Sequence, residues 1–304
     1  MSEAELGYAQ RQVARHKGDA RTVDLDNVAE EVPVALVYNG ISHAVMMATP
    51  LDLEVFAVGF SLTEGIVDSI KEIYDVEVQP ACVDGGLDGI AGIEVRIEIG
   101  QRAFMALKDR RRSLAGRTGC GVCGVESLQL LDLQPVRMPV PRHRIVPSRE
   151  VIQRAAAGLP AHQMLMRTTG GVHAAAWCGP DGEVLHAFED VGRHNAMDKL
   201  IGHLARRRVV MDEGFVFLSS RASYELVRKA ARMHIQMLAT ISAPTALAIR
   251  IAEQAGLRLL SFCRQDGFVE YTSPPGKSQS VLRSEPLAQA AQAAQAAAVT
   301  TVTE

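Results

Sequence analysis

The sequence lacks an excess of positive charge, a long uninterrupted apolar run and a cluster of cysteines. Its 304 residues include 32 basic and 35 acidic side chains, which gives a formal net charge of -3. Proteins that bind nucleic acid need a basic surface to neutralise phosphates, so this balance argues against a nucleic-acid partner. Every long apolar stretch is interrupted by polar residues before it could span a bilayer, and the N-terminus lacks the apolar core of a signal peptide. We therefore predict a cytoplasmic protein without a membrane segment.

The cysteine spacing also argues against the usual disulfide and zinc arrangements. The chain has five cysteines, an odd number, and only Cys120 and Cys123 form a close pair. A secreted disulfide framework is therefore not expected, whereas a reducing compartment is. A structural zinc site needs a second ligand pair and a deaminase-type zinc centre needs an H-x-E motif, but the sequence offers neither. We therefore predict no metal site.

What the sequence does have is a glycine-rich stretch with two thiols, GRTGCGVCG, from Gly116 to Gly124. An apolar-periodic run follows Cys123 and predicts a helix, so the thiols lie on a loop that leads into a helix N-terminus. Arginines before the pair and the helix N-terminus both favour the thiolate form of cysteine. Sulfur exchange needs an accessible thiolate that can reach its partner, and a pliable loop favours a persulfide carrier. A dithiol-disulfide oxidoreductase and a nucleotide-cofactor-binding chaperone without sulfur transfer remain as alternatives.

The strand and helix patterns divide the chain into five segments. We predict, in order, a disordered leader at residues 1–29, a smaller, mainly β, α+β domain at 30–134 with the CxxC loop at 108–124, a linker at 135–147, an α/β domain at 148–273 and a low-complexity tail at 274–304.

The first domain has three clear local signals. The pair Asn39 and Gly40 separates two apolar runs and predicts a tight type I′ hairpin. Thr49, Pro50 and Asp52 predict the start of a helix that runs to Gly65. Residues 93–99 alternate between apolar and polar side chains, which predicts a strand with one buried face.

The second domain alternates between strands and helices from Ser148 onward. This order predicts an α/β sheet covered on both faces, with an antiparallel hairpin at its start. It resembles the three-layer mixed sheet of cytidine deaminase-like proteins. The predicted helices cover residues 148–158, 192–207, 223–236 and 243–256, and the predicted strands cover 172–178, 183–190, 215–220, 238–242, 257–263 and 268–272.

Several polar residues follow the predicted strands and suit an anionic ligand. Ser220 and Arg221 lie where a strand ends and a helix begins, the position at which open α/β sheets and helix N-termini bind phosphates. Helix capping by Ser220 or Ser223 is the alternative. Gly171 precedes a strand and allows close backbone approach. His194 would share a helix face with two aspartates, Asp190 and Asp198, if the helix starts early enough.

Six ordered motifs resemble the FdhD family, the formate dehydrogenase accessory sulfurtransferases, over residues 30–272. These motifs are RTGCGVCGVESL, RTTGGVHAAA, FEDVGRHNAMDKLIG, SSRASYELVRKAA, ISAPTALAI and LLSFCRQDGFVEYT. The resemblance implies a sulfur carrier that accepts sulfur from a cysteine desulfurase as a persulfide on Cys120, with Cys123 in a supporting role. It also implies that the sulfur passes to a molybdenum bis-guanine-dinucleotide cofactor, which formate dehydrogenase then receives.

The same resemblance assigns the cofactor-binding run and the partners. We expect no permanent cofactor, transient binding of the molybdenum cofactor or of guanine nucleotides, and a homodimer. On physical grounds, Ser220, Arg221, Gly171 and His194 are added to the cofactor-binding run. That run consists of Phe262, Cys263, Arg264, Gln265, Asp266 and Gly267.

Overall fold

The computed structural model describes residues 6–82, 91–112, 134–139 and 144–274, apart from the side chains of residues 82, 91 and 110–112. Residues 6–29, predicted to be disordered, instead form an antiparallel hairpin of β1 (Tyr8–Lys17) and β2 (Ala20–Ala29). Gly18 lies in its two-residue turn with φ of +58°. Most of the side chains in both strands are exposed. The segment thus exposes its side chains as a polar leader would, although its two strands pair along their whole length.

After the hairpin comes a four-stranded sheet, here called the first sheet, which is accompanied by two helices. The order of its strands is β4-β3-β6-β5, and β3 and β6 run parallel while the outer pairs run antiparallel. Asn39 and Gly40 both have positive φ, 44° and 80°, which confirms the predicted type I′ turn between β3 and β4. The elements are β3 (Val32–Tyr38), β4 (Ile41–Ala48), α1 (Leu53–Thr63), β5 (Ile73–Cys82), β6 (Ala91–Ile99) and α2 (Gln101–Arg112).

Helix α1 starts later than the sequence predicts. Asp52 occupies the N-cap position with φ of +57° and makes no side-chain cap. Thr49 is not a cap because it binds another part of the chain: its amide donates to Asp190 Oδ2 at 3.1 Å, and its hydroxyl accepts from the amide of Val191 at 3.2 Å. A long-range contact has therefore replaced the local capping interaction.

The second sheet is a six-stranded mixed sheet in the order β12-β11-β10-β9-β7-β8. Strands β9, β10 and β11 are parallel, and β7, β8 and β12 are antiparallel to their neighbours. Its elements are α3 (Arg149–His162), α4 (Met164–Thr169), β7 (His173–Cys178), β8 (Val184–Asp190), α5 (Arg193–Arg206), β9 (Phe215–Leu218), α6 (Tyr224–Arg232), β10 (Met237–Thr240), α7 (Ala246–Ala255), β11 (Arg258–Arg264) and β12 (Gly267–Thr272).

Two buried clusters give this sheet its three layers. On one face, Phe217 of β9 packs with Ile152 and Leu159 of α3. On the other face, strand residues such as Leu218 pack with α5, α6 and α7 through side chains that include Leu226. The mixed α/β sheet with helices on both faces is thus confirmed. The likeness to the cytidine deaminase fold stays a prediction.

The two predicted domains pack into one compact unit that ends at Pro274. Helices α1 and α5 cross where Gly59 faces Gly202, and the absence of side chains there lets the two backbones touch. The linker is not a free connector, because Ile145 is buried and its amide donates to Gln236 Oε1 at 3.0 Å. The tail from residue 275 lies outside the described residues.

Candidate functional site

One edge of the second sheet gathers most of the polar residues singled out in the sequence. Because β9, β10 and β11 are parallel, their C-terminal ends meet at this edge, with Leu218 beside Thr240. Strand β7 runs antiparallel to both β9 and β8, so the start of β7 and the end of β8 reach the same edge, where His173 lies opposite Asp190. We call this the strand-end edge. It brings together Gly171, His173, residues 190–194, residues 219–223 and Phe262.

The serines after β9 hold the edge together. Ser219 Oγ accepts a hydrogen bond from the amide of Ala174 at 2.8 Å and so ties the end of β9 to β7. Ser220 is buried, and its hydroxyl donates to the carbonyl of Arg221 at 3.1 Å. Ser223 occupies the N-cap position of α6 without a side-chain cap. The helix-capping alternative is therefore wrong for this cluster, and Arg221 is exposed.

His194 lies in the first turn of α5 and faces the start of α6. Its Nε2 is 3.4 Å from Ser223 Oγ and 3.9 Å from Glu225 Oε2. Burial, with help from the nearby cations Arg193 and Lys229, lowers the pKa of His194 to about 4. The imidazole is therefore neutral near neutral pH.

Arg193 stands beside two imidazoles and has no carboxylate partner among the described residues. Its Nε is buried and makes no hydrogen bond within that part of the chain. Burial and the charge of Arg193 lower the pKa of His173, which begins β7. The strand-end edge thus combines a guanidinium that has no carboxylate partner in the described ranges with two histidines whose pKa values are lowered.

A buried ion pair positions the turn that carries Arg193 and His194. Asp190 Oδ2 lies 2.7 Å from Lys199 Nζ, and both side chains are fully buried. Asp190 Oδ1 accepts from the amide of Gly192 at 2.8 Å and from Asn195 Nδ2 at 2.9 Å. The carboxylate therefore holds the turn between β8 and α5.

Asp190 does not share a helix face with His194 and Asp198, as the sequence predicted for a helix that starts early enough. Helix α5 begins only at Arg193, so Asp190 precedes the helix. Asp198 instead binds Lys229 Nζ at 2.9 Å and the hydroxyl of Thr63 at 2.7 Å in the interface with α1. Its role is therefore in packing.

The run Phe262–Gly267 divides into an edge residue, a buried thiol and an exposed turn. Phe262 has φ of +54° and is 38% exposed, and its amide donates to the carbonyl of Ser242 at 3.4 Å beyond the end of β10. Cys263 is buried, and burial raises its pKa to about 12. Arg264, Gln265 and Asp266 are exposed, and the carbonyl of Gln265 accepts a hydrogen bond from Gln153 of α3. Gly267 has φ of +154°, which favours glycine.

The predicted thiol pair, Cys120 and Cys123, lies outside the described residues, as do the loop residues from 113 onward. Burial raises the pKa of the Cys178 thiol as well as that of Cys263, which disfavours the nucleophilic thiolate at both positions. In the described ranges, no three histidine, cysteine, aspartate or glutamate side chains are placed to share a metal ion. None of the helices in this part of the chain has the length and apolar character needed to cross a membrane.

Comparison with known proteins gives a consistent result over almost all of the described chain. The model of the FdhD/NarQ family matches residues 29–277. The chain belongs to the FdhD/NarQ family. Within this family, the chain is 61% identical over 269 residues to the sulfur carrier protein FdhD of Chromobacterium violaceum, covering 88% of this chain and 97% of the relative. It is 58% identical over 265 residues to the sulfur carrier protein FdhD of Burkholderia mallei, covering 87% and 95%.

A solved structure shares the fold of this FdhD/NarQ chain. It is described as a formate dehydrogenase accessory protein from Desulfotalea psychrophila. The TM-score is 0.64 at 20% identity, and the match covers 88% of this chain and 97% of that one. At this identity the likeness concerns the fold alone.

Sequence reasoning missed Arg193 and the two buried lysines, Lys199 and Lys229. The motif FEDVGRHNAMDKL contained the signal for Arg193, because this residue follows Gly192 at the start of the predicted helix. Lys229 carried no local signal, since its partners Asp198 and Thr63 lie 31 and 166 residues away in the sequence. Lys199 lies in the same motif as its partner Asp190, but the motif does not show that the pair is buried.

Proposed function

We propose that this protein is a cytoplasmic sulfur carrier that serves formate dehydrogenase. Two relatives that are more than half identical over nearly their whole length are named sulfur carrier protein FdhD. The strand-end edge is the observation in this chain that best supports such a role. It brings four of the resembling motifs together around Arg193 and Arg221, which pair with no carboxylate of the described part of the chain and so suit an anionic acceptor.

The proposed reaction uses both cysteines of the CxxC pair. The thiolate of Cys120 attacks the outer sulfur of the persulfide of a cysteine desulfurase, and the cysteine thiolate of the desulfurase leaves. This step produces a persulfide on Cys120. Cys123 then attacks the inner sulfur of this persulfide, a Cys120–Cys123 disulfide forms and sulfide departs. The bond between the two persulfide sulfurs breaks, the departing sulfur is reduced by two electrons, and the two thiols are oxidised.

The acceptor in this proposal is the molybdenum bis-guanine-dinucleotide cofactor, bound transiently as a substrate. Sulfide replaces an oxygen ligand of molybdenum, and that oxygen leaves as water after accepting two protons. The pyrophosphates of the cofactor would bind at the strand-end edge, where Arg193, Arg221 and Ser220 lie. Phe262 is exposed at the same edge and could stack on a guanine base. We also propose that this protein forms a homodimer.

Mass analysis after sulfur loading tests the carrier role. The full-length protein is incubated with a cysteine desulfurase and cysteine, and its peptides are then analysed. We expect one added sulfur atom on Cys120. A Cys120→Ala variant should neither carry sulfur nor restore formate dehydrogenase activity, whereas Cys178→Ala is the matched control at a buried thiol. A Cys120–Cys123 disulfide without any persulfide would favour the oxidoreductase, and full restoration of activity by Cys120→Ala would refute the carrier role.

A further inference from the structure

The hairpin of β1 and β2 has two unlike faces, because successive side chains of a strand point to opposite sides. On one side, Arg15 binds Asp26 at 2.8 Å and Asp24 at 3.5 Å, so these charges are already paired. On the other side, Leu25 and Val23 are 62% and 59% exposed. We call the side that carries Leu25 and Val23 the apolar face of the hairpin.

A hairpin of this kind needs a second layer. Two strands that pack against nothing are at best marginally stable in water, although β1 and β2 pair along ten residues each. Helix α4 packs against β2, yet Leu25 and Val23 stay exposed. The apolar face is therefore a surface that another molecule covers. Almost all of the hairpin precedes residue 29, where the match to the family begins.

The two ends of the hairpin carry opposite charge. Lys17 and Arg21 flank its turn, where Asp19 offsets one of them, whereas Glu30 and Glu31 follow β2 at its base. Within the described part of the chain, neither these two cations nor these two glutamates have an ion-pair partner. Two hairpins that lie face to face in opposite directions bring each positive turn against the negative base of the other. The charge pattern is therefore complementary to a second copy of itself.

The spacing of the charges fixes the register of such a pair. Arg21 and Glu31 are ten residues apart, which is about 34 Å of extended strand. The middle of this span lies next to Leu25 on the apolar face. A two-fold axis at this point buries Leu25 against its counterpart, in the centre of the contact, and leaves the charges at its rim.

We propose that the hairpin is a dimerisation arm, in which the apolar faces of two copies pack against each other in opposite directions. Arg21 of each copy then lies against Glu31 of the partner subunit. The inference rests on the homodimer of the proposed function, and it adds the surface that forms this homodimer.

The size of the contact makes the dimer a reversible one. A hairpin face about 34 Å long and about 10 Å wide offers roughly 300–400 Å² per copy, whereas a stable interface buries about 800 Å² per partner. Helix α4 beside β2 adds the exposed side chains of Met164 and Met166. We therefore expect the dimer population to depend on protein concentration.

The arm would also bring the partner close to the strand-end edge. At the base of the hairpin, a Cβ atom at Gly171 would lie 3.8 Å from Ala29 Cβ, and the amide of Glu30 donates to the carbonyl of Gly7 at 2.9 Å. In the antiparallel pair, the turn of the partner's hairpin lies over this base. Each strand-end edge is then bordered by residues of both subunits.

Analytical ultracentrifugation of the full-length protein over a range of concentrations tests the contact. Leu25→Glu should raise the dissociation constant of the dimer by about a hundredfold or more, because each dimer loses two buried leucines and gains two buried charges. Val269→Glu is the matched control, since Val269 is an exposed apolar residue on β12. The control should dissociate as the unchanged protein does.

Charge reversal tests the direction of packing. Arg21→Glu and Glu31→Arg should each raise the dissociation constant by about tenfold, because two ion pairs of the dimer become repulsive contacts. The variant with both changes should return to within about threefold of the unchanged protein, since each Glu again faces an Arg. Within one chain these positions are about 34 Å apart and are screened from each other by salt, so the rescue can only come from contact between subunits. Arg250→Glu, at an exposed position of α7, is the control for a change of net charge.

Three results would overturn the proposal. A dimer of Leu25→Glu that is as tight as the unchanged one would show that another surface forms the homodimer. Additive losses in the doubly changed variant would exclude the antiparallel contact between Arg21 and Glu31. An unchanged protein that is monomeric at every concentration would remove both the arm and the homodimer, whereas persulfide loading on Cys120 tests the carrier role separately. Unchanged thermal unfolding midpoints would show that the variants are folded.

Discussion

The crossing of α1 and α5 leaves no space for a side chain at Gly202. A Cβ atom there would lie 1.9 Å from the carbonyl oxygen of Val55 and 2.8 Å from the amide nitrogen of Gly59. Both of these are backbone atoms, so no rotamer change can relieve the overlap. Overpacking typically costs about 1–3 kcal/mol, and a backbone clash belongs at the upper end. The gain in helix propensity from glycine to alanine, about 1 kcal/mol, offsets part of this cost. We therefore expect Gly202→Ala to lower the free energy of unfolding by about 2 kcal/mol.

Gly158 provides a matched control inside another helix. A Cβ at Gly158 would lie 3.3 Å from Val184 Cγ2, the end of a side chain rather than backbone. Gly158→Ala should therefore be neutral or slightly stabilising, by at most about 1 kcal/mol. Urea unfolding followed by circular dichroism measures both variants. Equal stability of Gly202→Ala and Gly158→Ala would refute the argument that close backbone contact at Gly202 joins the two sheets.

Three further predictions follow from buried charges and thiols. Lys229→Met should lower the free energy of unfolding by about 3–5 kcal/mol in urea titrations, because the carboxyl of Asp198 stays buried without its charged partner; a loss below about 1 kcal/mol would contradict this. Burial opposes the ionisation of Glu64, but Lys229 and Arg228 lower its pKa from the ordinary 4.5 to about 2, so its contribution to stability is present above about pH 4.5 and is lost as the pH falls towards 2. Between pH 4.5 and 2, the free energy of unfolding should consequently fall less for Glu64→Gln than for the unchanged protein. An equal fall in both proteins would count against this role of Glu64. Iodoacetamide near pH 8 should label Cys178 and Cys263 only after unfolding, since burial raises the pKa of both thiols; labelling in the folded protein would show that these sites open.

Local patterns predicted the elements whose partners are close in sequence or whose periodicity is strong. The turn at Asn39 and Gly40 needs two residues that tolerate positive φ, and the sequence supplies them. The strand at residues 93–99 alternates as a half-buried strand should. The three-layer sheet followed from the regular succession of strands and helices after Ser148. The order of its strands could not be predicted in this way, because pairing is a long-range property.

The predictions from the sequence were wrong where contacts with distant parts of the chain override the local preference. Thr49 has the features of a helix cap, but it binds Asp190, which is 141 residues further along the chain. The first 29 residues contain no long apolar run, yet β1 and β2 pair along ten residues each. Arg193 shows the same limit at the site. The sequence shows that Arg193 stands at a helix start, but only the structure shows that its Nε is buried without a hydrogen-bond partner among the described residues.

The same kind of ion pair holds both ends of helix α1. Each ion pair joins a buried lysine to a buried aspartate, and all four residues belong to the second sheet or to its helices. A threonine just before α1 or at its end binds each pair. Before the helix, Lys199 Nζ donates a hydrogen bond to the carbonyl of Thr49 at 3.2 Å, and the amide of Thr49 donates one to Asp190. At its end, the members of the second set, Lys229, Asp198 and Thr63, bind one another at 2.7–2.9 Å.

Compared with apolar side chains of similar volume, such buried pairs add little to the free energy of unfolding. Any arrangement that separates the two charges is, however, strongly destabilised. Their effect here is to fix the orientation of α1, and with it the first sheet, against α5. Asp190 also holds the turn at Gly192, directly before Arg193 and His194. Asp190 therefore contributes both to the packing of α1 and to the geometry of the strand-end edge, and a substitution that displaces α1, such as Gly202→Ala, should also shift the NMR signals of His194.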